Sequence, residues 1–115
     1  MGTERAILVV DDEEVVCSSC NRILREEGFR VESSTDVLRG LEMAKENEYA
    51  AILLDIRMEQ MNGLEFLKRL RAAKPGVPVI IITGYPSPES RAVSRQRGAR
   101  DYLCKPFTPE EISRS

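Results

Sequence analysis

Three short runs of large aliphatic residues in this chain each end on residues suited to chemistry. Ala51-Ile52-Leu53-Leu54 stops at Asp55, Ala6-Ile7-Leu8-Val9-Val10 runs into Asp11-Asp12-Glu13-Glu14, and Val79-Ile80-Ile81-Ile82 meets Thr83-Gly84. A run of this kind, bounded by polar residues, reads as a strand buried on both faces, the pattern of a parallel sheet covered by helices. Few architectures accept several such strands. The stretches between them are long enough for crossover helices, so the chain predicts a βα alternation with right-handed crossovers. Open α/β sheets bind ligands at the carboxyl ends of their strands. A further strand, residues 101–104, delivers Lys105-Pro106 to the same rim. The sequence thus predicts three carboxylates, one hydroxyl and one ammonium converging on one edge.

Residues 13–27 have Val16, Cys20, Ile23 and Leu24 at helical spacing, with Gly28 as the C-cap. Residues 30–33 alternate polar and apolar, as an exposed edge strand does. Thr35 or Asp36 then caps a helix with Val37, Leu41 and Ala44 inward. After an Asn62-Gly63 turn, Leu64, Leu67 and Leu70 line a helix that ends at Lys74-Pro75-Gly76, because proline cannot continue it. Residues 86–96 form a helix started by Ser87-Pro88-Glu89; only Ala92 and Val93 are apolar there, so it is the least firmly held. Gly98 closes it. Thr108-Pro109-Glu110-Glu111 opens a fifth helix that offers little beyond Ile112 and is truncated at Ser115. With the polar second strand and the short fifth strand at the edges, the order is 2-1-3-4-5: a doubly wound, flavodoxin-like three-layer α/β sandwich.

A chain of 115 residues with 42% hydrophobic content reads as a single domain, residues 1–115, cut from a longer protein and able to bury a core without staples. A formal charge of −2 with both signs interspersed gives no footprint for direct nucleic-acid contact. No apolar stretch approaches membrane-spanning length, and Met1-Gly2-Thr3-Glu4-Arg5 opens no signal peptide, so a cytoplasmic location is the expectation. Three cysteines fit a reducing compartment. The absence of histidine excludes a phosphohistidine carrier, a histidine-based hydrolase and a typical zinc site.

Asp11, Asp12 and Asp55 end neighbouring strands in that order, and such a cluster repels itself unless a cation fills it. All-oxygen donors point to a hard ion. Mg²⁺, which keeps several waters and needs few carboxylates, fits better than Ca²⁺, with Mn²⁺ as a substitute. Lys105 adds a second positive charge and Thr83 a hydroxyl. That set suits attack on phosphorus with Asp55 as acceptor. Taken singly, each residue has a plainer account: the acids as helix caps, Thr83 as a strand end, Lys105 as a solvated surface lysine. Their joint placement at strand ends is what favours a site.

Val9-Val10-Asp11-Asp12-Glu13, Leu54-Asp55-Ile56-Arg57-Met58, Met61-Asn62-Gly63, Ile82-Thr83-Gly84 and the run from Gly98 through Asp101-Tyr102-Leu103-Cys104-Lys105-Pro106 to Phe107 form an ordered set. Over nearly its whole length the chain resembles the receiver domain of two-component response regulators. The resemblance implies that Asp55 is the phosphoacceptor, Asp12 a direct Mg²⁺ ligand, Asp11 its supporting neighbour and the backbone carbonyl of Arg57 a third protein ligand. Lys105 and, in the active state, Thr83 would contact the phosphoryl group, and Tyr102 would be the aromatic switch that follows Thr83. It further implies a phosphorelay role: a sensor histidine kinase or histidine phosphotransfer protein as donor, and a covalently linked output or kinase domain. Such a domain catalyses only its own phosphorylation and dephosphorylation. The family usually has a cis bond before the proline matching Pro106. Glu59 stands where the family commonly has proline, which loosens that loop, and the incomplete fifth helix bears on a face that often carries dimerisation or output. Arg57 and Tyr85, two positions after the acceptor and two after the threonine, are bulky enough to cover the approach of water and lengthen the lifetime of the phosphorylated state.

Four rival readings can be weighed. Cys17-Ser18-Ser19-Cys20 has redox spacing, but Glu13 and Glu14 lie one turn before Cys17, whereas a reactive thiolate needs an electropositive setting; Cys20 packing inward is the plainer account. A flavodoxin-like nucleotide binder would share the fold, yet Asp11-Asp12-Glu13-Glu14 would repel a phosphate. A haloacid-dehalogenase-type phosphohydrolase usually carries a second aspartate where this chain has Arg57. A degenerate receiver acting as an interaction module would lack residues that are present here.

Overall fold

The computed structural model describes residues 6–58 and 61–105. The elements are β1 (Ala6–Val10), α1 (Glu14–Glu26), β2 (Arg30–Ser34), α2 (Val37–Glu46), β3 (Ala51–Asp55), α3 (Gly63–Ala73), β4 (Val79–Thr83), α4 (Pro88–Gln96) and β5 (Asp101–Cys104). The five strands are parallel in the order β2-β1-β3-β4-β5, as the sequence predicts.

Strand periodicity divides the core into two layers. Leu8, Val10, Ile52, Leu54, Val79 and Ile81 turn to one face of the sheet, against Val37, Leu41 and Ala44 of α2 and Phe66, Leu67 and Leu70 of α3. Ile7, Val9, Leu53, Ile80 and Ile82 turn to the other, against Cys17, Cys20 and Leu24 of α1. Central strands buried on both faces need aliphatics along their length, and β3 and β4 have them up to their last residues, Asp55 and Thr83. Each large aliphatic taken fully out of water contributes on the order of 1.5–3 kcal/mol.

The inward faces differ from expectation in three helices. In α1 the buried residues are Cys17, Cys20 and Leu24, while Val16 and Ile23 are half-buried. The stripe keeps the expected Cys20 and Leu24 and adds Cys17, one turn before Cys20, with Val16 and Ile23 at its margin. In α3 Phe66 is fully buried and Leu64 only partly so. In α4 Ala92 is exposed, Val93 is half-buried and Ser94 is buried, so its inner face is built from hydroxyls. Caps appear where side-chain oxygens meet free backbone N–H groups: Asp36 accepts from Arg39, Asn62 from Leu64, and Ser87 from Ser90, with Pro88 following at the first helical position. Asp36, not Thr35, is the cap of α2. β2 extends to Ser34, one residue past the predicted end. The fifth helix, the peptide bond before Pro106 and the loop residue Glu59 lie outside the described residues.

One glycine is demanded by the site. A Cβ on Gly63 would stand 2.2 Å from the backbone oxygen of Asp55, so only glycine lets the start of α3 close against the end of β3. The Gly63 N–H donates to the Ile56 carbonyl at 2.8 Å and seals that approach.

Candidate functional site

β1 and β3 are neighbours in the sheet, so the residues following their last aliphatics meet at one rim. Asp11, Asp12 and Asp55 each place a carboxylate oxygen within 4.8 Å of the others'. Asp11 and Asp55 are buried and Asp12 is half-buried. Asp11 is fixed by its backbone, whose N–H donates to the Ser34 carbonyl at 3.2 Å, and by its Oδ1, which accepts from the Glu13 N–H at 3.0 Å.

Lys105 enters from the far end of the sheet, its own N–H donating to the Thr83 carbonyl at 2.8 Å. Its ammonium Nζ lies 3.0 Å from Asp11 Oδ2, 3.5 Å from Asp55 Oδ2 and 3.6 Å from Glu13 Oε1. Burial alone would lower the pKa of this lysine, but the hydrogen bond to Asp11 and the charges of Asp11, Asp55 and Glu13 outweigh it and raise the value. For Asp55 the balance goes the other way for an acid: burial first, then the Asp11 charge, pushes its carboxyl up to about 6, against the pull of Lys105 and of the Arg57 backbone N–H. One ammonium does not neutralise three buried or half-buried acids. The donor set is all oxygen, and it fits a hard divalent cation with water completing the shell.

Above these groups opens a cleft of about 480 Å³ lined by Asp12, Glu13, Asp55, Arg57, Gly84, Tyr85 and Lys105. Arg57 and Tyr85 meet across it, with the guanidinium carbon 4.1 Å from the ring centroid. Thr83 is buried and its Oγ1 accepts from the Tyr85 N–H at 3.0 Å, a turn that aims the Tyr85 backbone past the site. Tyr102 is also buried; its hydroxyl meets the Ser87 N–H at 3.2 Å and the Ser90 hydroxyl, and the Arg91 guanidinium carbon lies 4.6 Å over its ring.

The predicted residues therefore fall into three places: Asp12, Asp55, Arg57, Tyr85 and Lys105 line the cleft, with Asp11 buried against Lys105; Thr83 is buried at the end of β4 and bonded to the Tyr85 N–H; and Tyr102 sits among the serines of α4. Sequence reasoning passed over Glu13 as a partner of Lys105, although its place beside two aspartates was a signal. It also passed over Ser87 and Ser90, whose three-residue spacing on a poorly apolar helix was the available hint. Cys17 and Cys20 are both buried, and burial as the leading cause drives their thiols up to about 11 and about 12, the opposite of what redox chemistry requires.

The family model for the response regulator receiver domain matches residues 7–115. The chain is 39% identical over 111 residues to the transcriptional regulatory protein ZraR of Klebsiella oxytoca, covering 96% of this chain and 25% of that protein. It is 33% identical to the probable transcriptional regulatory protein TcrX of Mycobacterium tuberculosis, covering 96% of this chain and 47% of that one. It thus spans between a quarter and about half the length of these relatives. Among solved structures, a CheY-like receiver domain protein from Methanospirillum hungatei superposes with a TM-score of 0.92 at 32% identity, covering 97% of this chain and 90% of that one. Fold, sequence and the placement of the acids agree, and the chain belongs to the receiver domain family of two-component response regulators.

Proposed function

We propose that this domain takes a phosphoryl group onto Asp55 from a phosphohistidine of a sensor kinase or phosphotransfer protein, or from a small phosphodonor. The observation that carries it is the Lys105 ammonium lodged 3.0 Å from Asp11 and 3.5 Å from Asp55 at the floor of an open, polar cleft. An oxygen of Asp55 forms the new P–O bond while the donor's P–N bond breaks and its electron pair leaves with the imidazole. Asp11, Asp12 and Asp55, with the Arg57 carbonyl, would hold Mg²⁺ or Mn²⁺. Bound there, the cation supplies positive charge to the phosphoryl oxygens. Lys105 holds Asp55 in place beforehand and then donates to a transferred oxygen. Gly63, having no Cβ, lets the start of α3 close against the Asp55 backbone without displacing it. The domain's chemistry is confined to its own phosphorylation and dephosphorylation.

Readout would run through Thr83, whose hydroxyl can leave the Tyr85 N–H for a phosphoryl oxygen, and through Tyr102, which pairs with Ile81, two residues before Thr83 on the same face of the sheet. α4, with only Ser94 fully buried, can re-dock at low cost. A linked output domain accords with relatives that are two to four times as long. None of the described helices is long and apolar enough to cross a membrane, which accords with work in the cytoplasm. The test is binding of beryllofluoride, a phosphoryl mimic, followed by thermal unfolding: stabilisation that needs both Mg²⁺ and Asp55 supports the proposal, and equal stabilisation of Asp55→Asn overturns it.

A further inference from the structure

Away from the acidic cleft, α4 is joined to β5 by a chain of hydroxyls. Ser87 Oγ accepts from the Ser90 N–H at 3.1 Å and pairs with Ser90 Oγ at 3.0 Å; Ser90 Oγ also reaches the Ser87 carbonyl at 3.2 Å. Ser94 Oγ donates to the Ser90 carbonyl at 2.7 Å. The Tyr102 hydroxyl accepts from the Ser87 N–H and is hydrogen-bonded to Ser90 Oγ. Donor accounting orders the chain. Ser90 has one proton, which the Ser87 carbonyl takes, and so the Tyr102 hydroxyl donates to Ser90 Oγ.

Tyr102 is thereby held at both its parts. Its hydroxyl is bound by the first turn of α4, and its ring lies under Arg91, the residue next to Ser90. α4 has little apolar surface to offer β5, since Ala92 is exposed and Val93 half-buried, so these polar contacts carry much of the docking. A buried tyrosine hydroxyl that lost its acceptor would keep its cost of desolvation, which turning out to solvent relieves.

We propose that Ser90 is a positioning residue that latches Tyr102 inward, so that the balance between its buried and outward positions is set by α4's own sequence as well as by Asp55. Its regulatory meaning rests on the Thr83–Tyr102 readout proposed above. Loss of one neutral hydrogen bond shifts such an equilibrium about fivefold.

The test uses the whole 115-residue chain labelled with 3-fluorotyrosine, with Tyr102→Phe to assign the resonance by ¹⁹F NMR. Ser90→Ala is expected to raise the outward fraction of Tyr102 about fivefold, and Ser90→Thr, which keeps a hydroxyl, to restore it. A Tyr102 resonance equally shielded from solvent in wild type and Ser90→Ala overturns the latch. A double-mutant cycle of Ser90→Ala with Tyr102→Phe in urea unfolding separates latch from cap. Coupling of about fivefold in the unfolding constant is expected. Strict additivity would show that Ser90 serves only the cap with Ser87, and would overturn the latch as well. Beryllofluoride with Mg²⁺ is added last: a wild-type Tyr102 resonance that ignores it refutes the proposed readout, while the latch is judged on the spectra taken before.

Discussion

Lys105 and Asp11 lie 94 positions apart and share a 3.0 Å ion pair at the carboxyl edge of the sheet. The pair ties the last described strand to the first and places the ammonium against two buried acids at once. Lys105→Met would leave Asp11 and Asp55 without that cation, and breaking a buried pair by removing one partner is costly. In EDTA the variant is expected to lose about 3 kcal/mol of stability in urea unfolding, with Mg²⁺ restoring part of it. Unchanged stability in EDTA would mean that Lys105 does not hold the acids together.

Gly63→Ala tests the closeness of α3 to β3. The new Cβ would meet the Asp55 backbone 2.2 Å away, which neither side can relieve by a rotamer change. A cost of about 3 kcal/mol is expected, together with weakened Mg²⁺ binding because Asp55 must move. Gly76→Ala, where a Cβ meets nothing within 4 Å, serves as the control and should be close to neutral.

The thiols give a pH dependence whose sign follows from burial. Burial, then the Asp11 charge, raises Cys17 from 9.0 to about 11; burial, then Cys17, raises Cys20 from 9.0 to about 12. Unfolded thiols ionise first, so above about pH 9 the unfolded state binds fewer protons than the native one. The stability associated with these groups is fully present below pH 9 and falls as pH rises beyond it. At pH 8 a maleimide should label exposed Cys104 rapidly and Cys17 and Cys20 only on unfolding. Equal rates at all three would contradict the buried placement.

The cleft wall is expected to bear on the lifetime of a phosphorylated Asp55. Arg57 stacks on Tyr85 at the cleft; there the pair would cover the approach of an in-line water, and neither side chain carries a carboxylate or amide to orient one. The double substitution Arg57→Asn with Tyr85→Glu is expected to speed decay by roughly one to two decades, at about 1.4 kcal/mol per decade. Decay no faster than wild type, followed by loss of the phosphoryl mass, would show that this pair does not guard the site.

The sheet order was legible because strands buried on both faces must be written in aliphatics, and the acids were legible because each terminates such a run. Lys105 could be placed only through the strand before it. What stayed hidden was polar structure inside helices. A hydroxyl gives no periodic apolar signal, so nothing in the sequence marks Ser90 and Ser94, yet Ser90 is bonded to the Tyr102 hydroxyl and Ser94 donates to the Ser90 carbonyl. Arg71 gives no signal in the sequence either, yet it donates to the carbonyls of Lys74, Val77 and Gly98 and staples the end of α3 to the turn before β5. Charge is also less evenly spread than composition suggests: Arg91, Arg95, Arg97 and Arg100 crowd α4 and the turn after it, with Glu89 the sole acid of that helix.

The central claim is that Asp55 is the phosphoacceptor. Intact-mass measurement after incubation with acetyl phosphate tests it most directly. In Mg²⁺ the wild-type chain should gain one phosphoryl mass, mapped to the peptide that contains Asp55, and Asp55→Asn or wild type in EDTA should gain none. A single phosphoryl group still found on Asp55→Asn, or acquired equally in EDTA, would contradict the account.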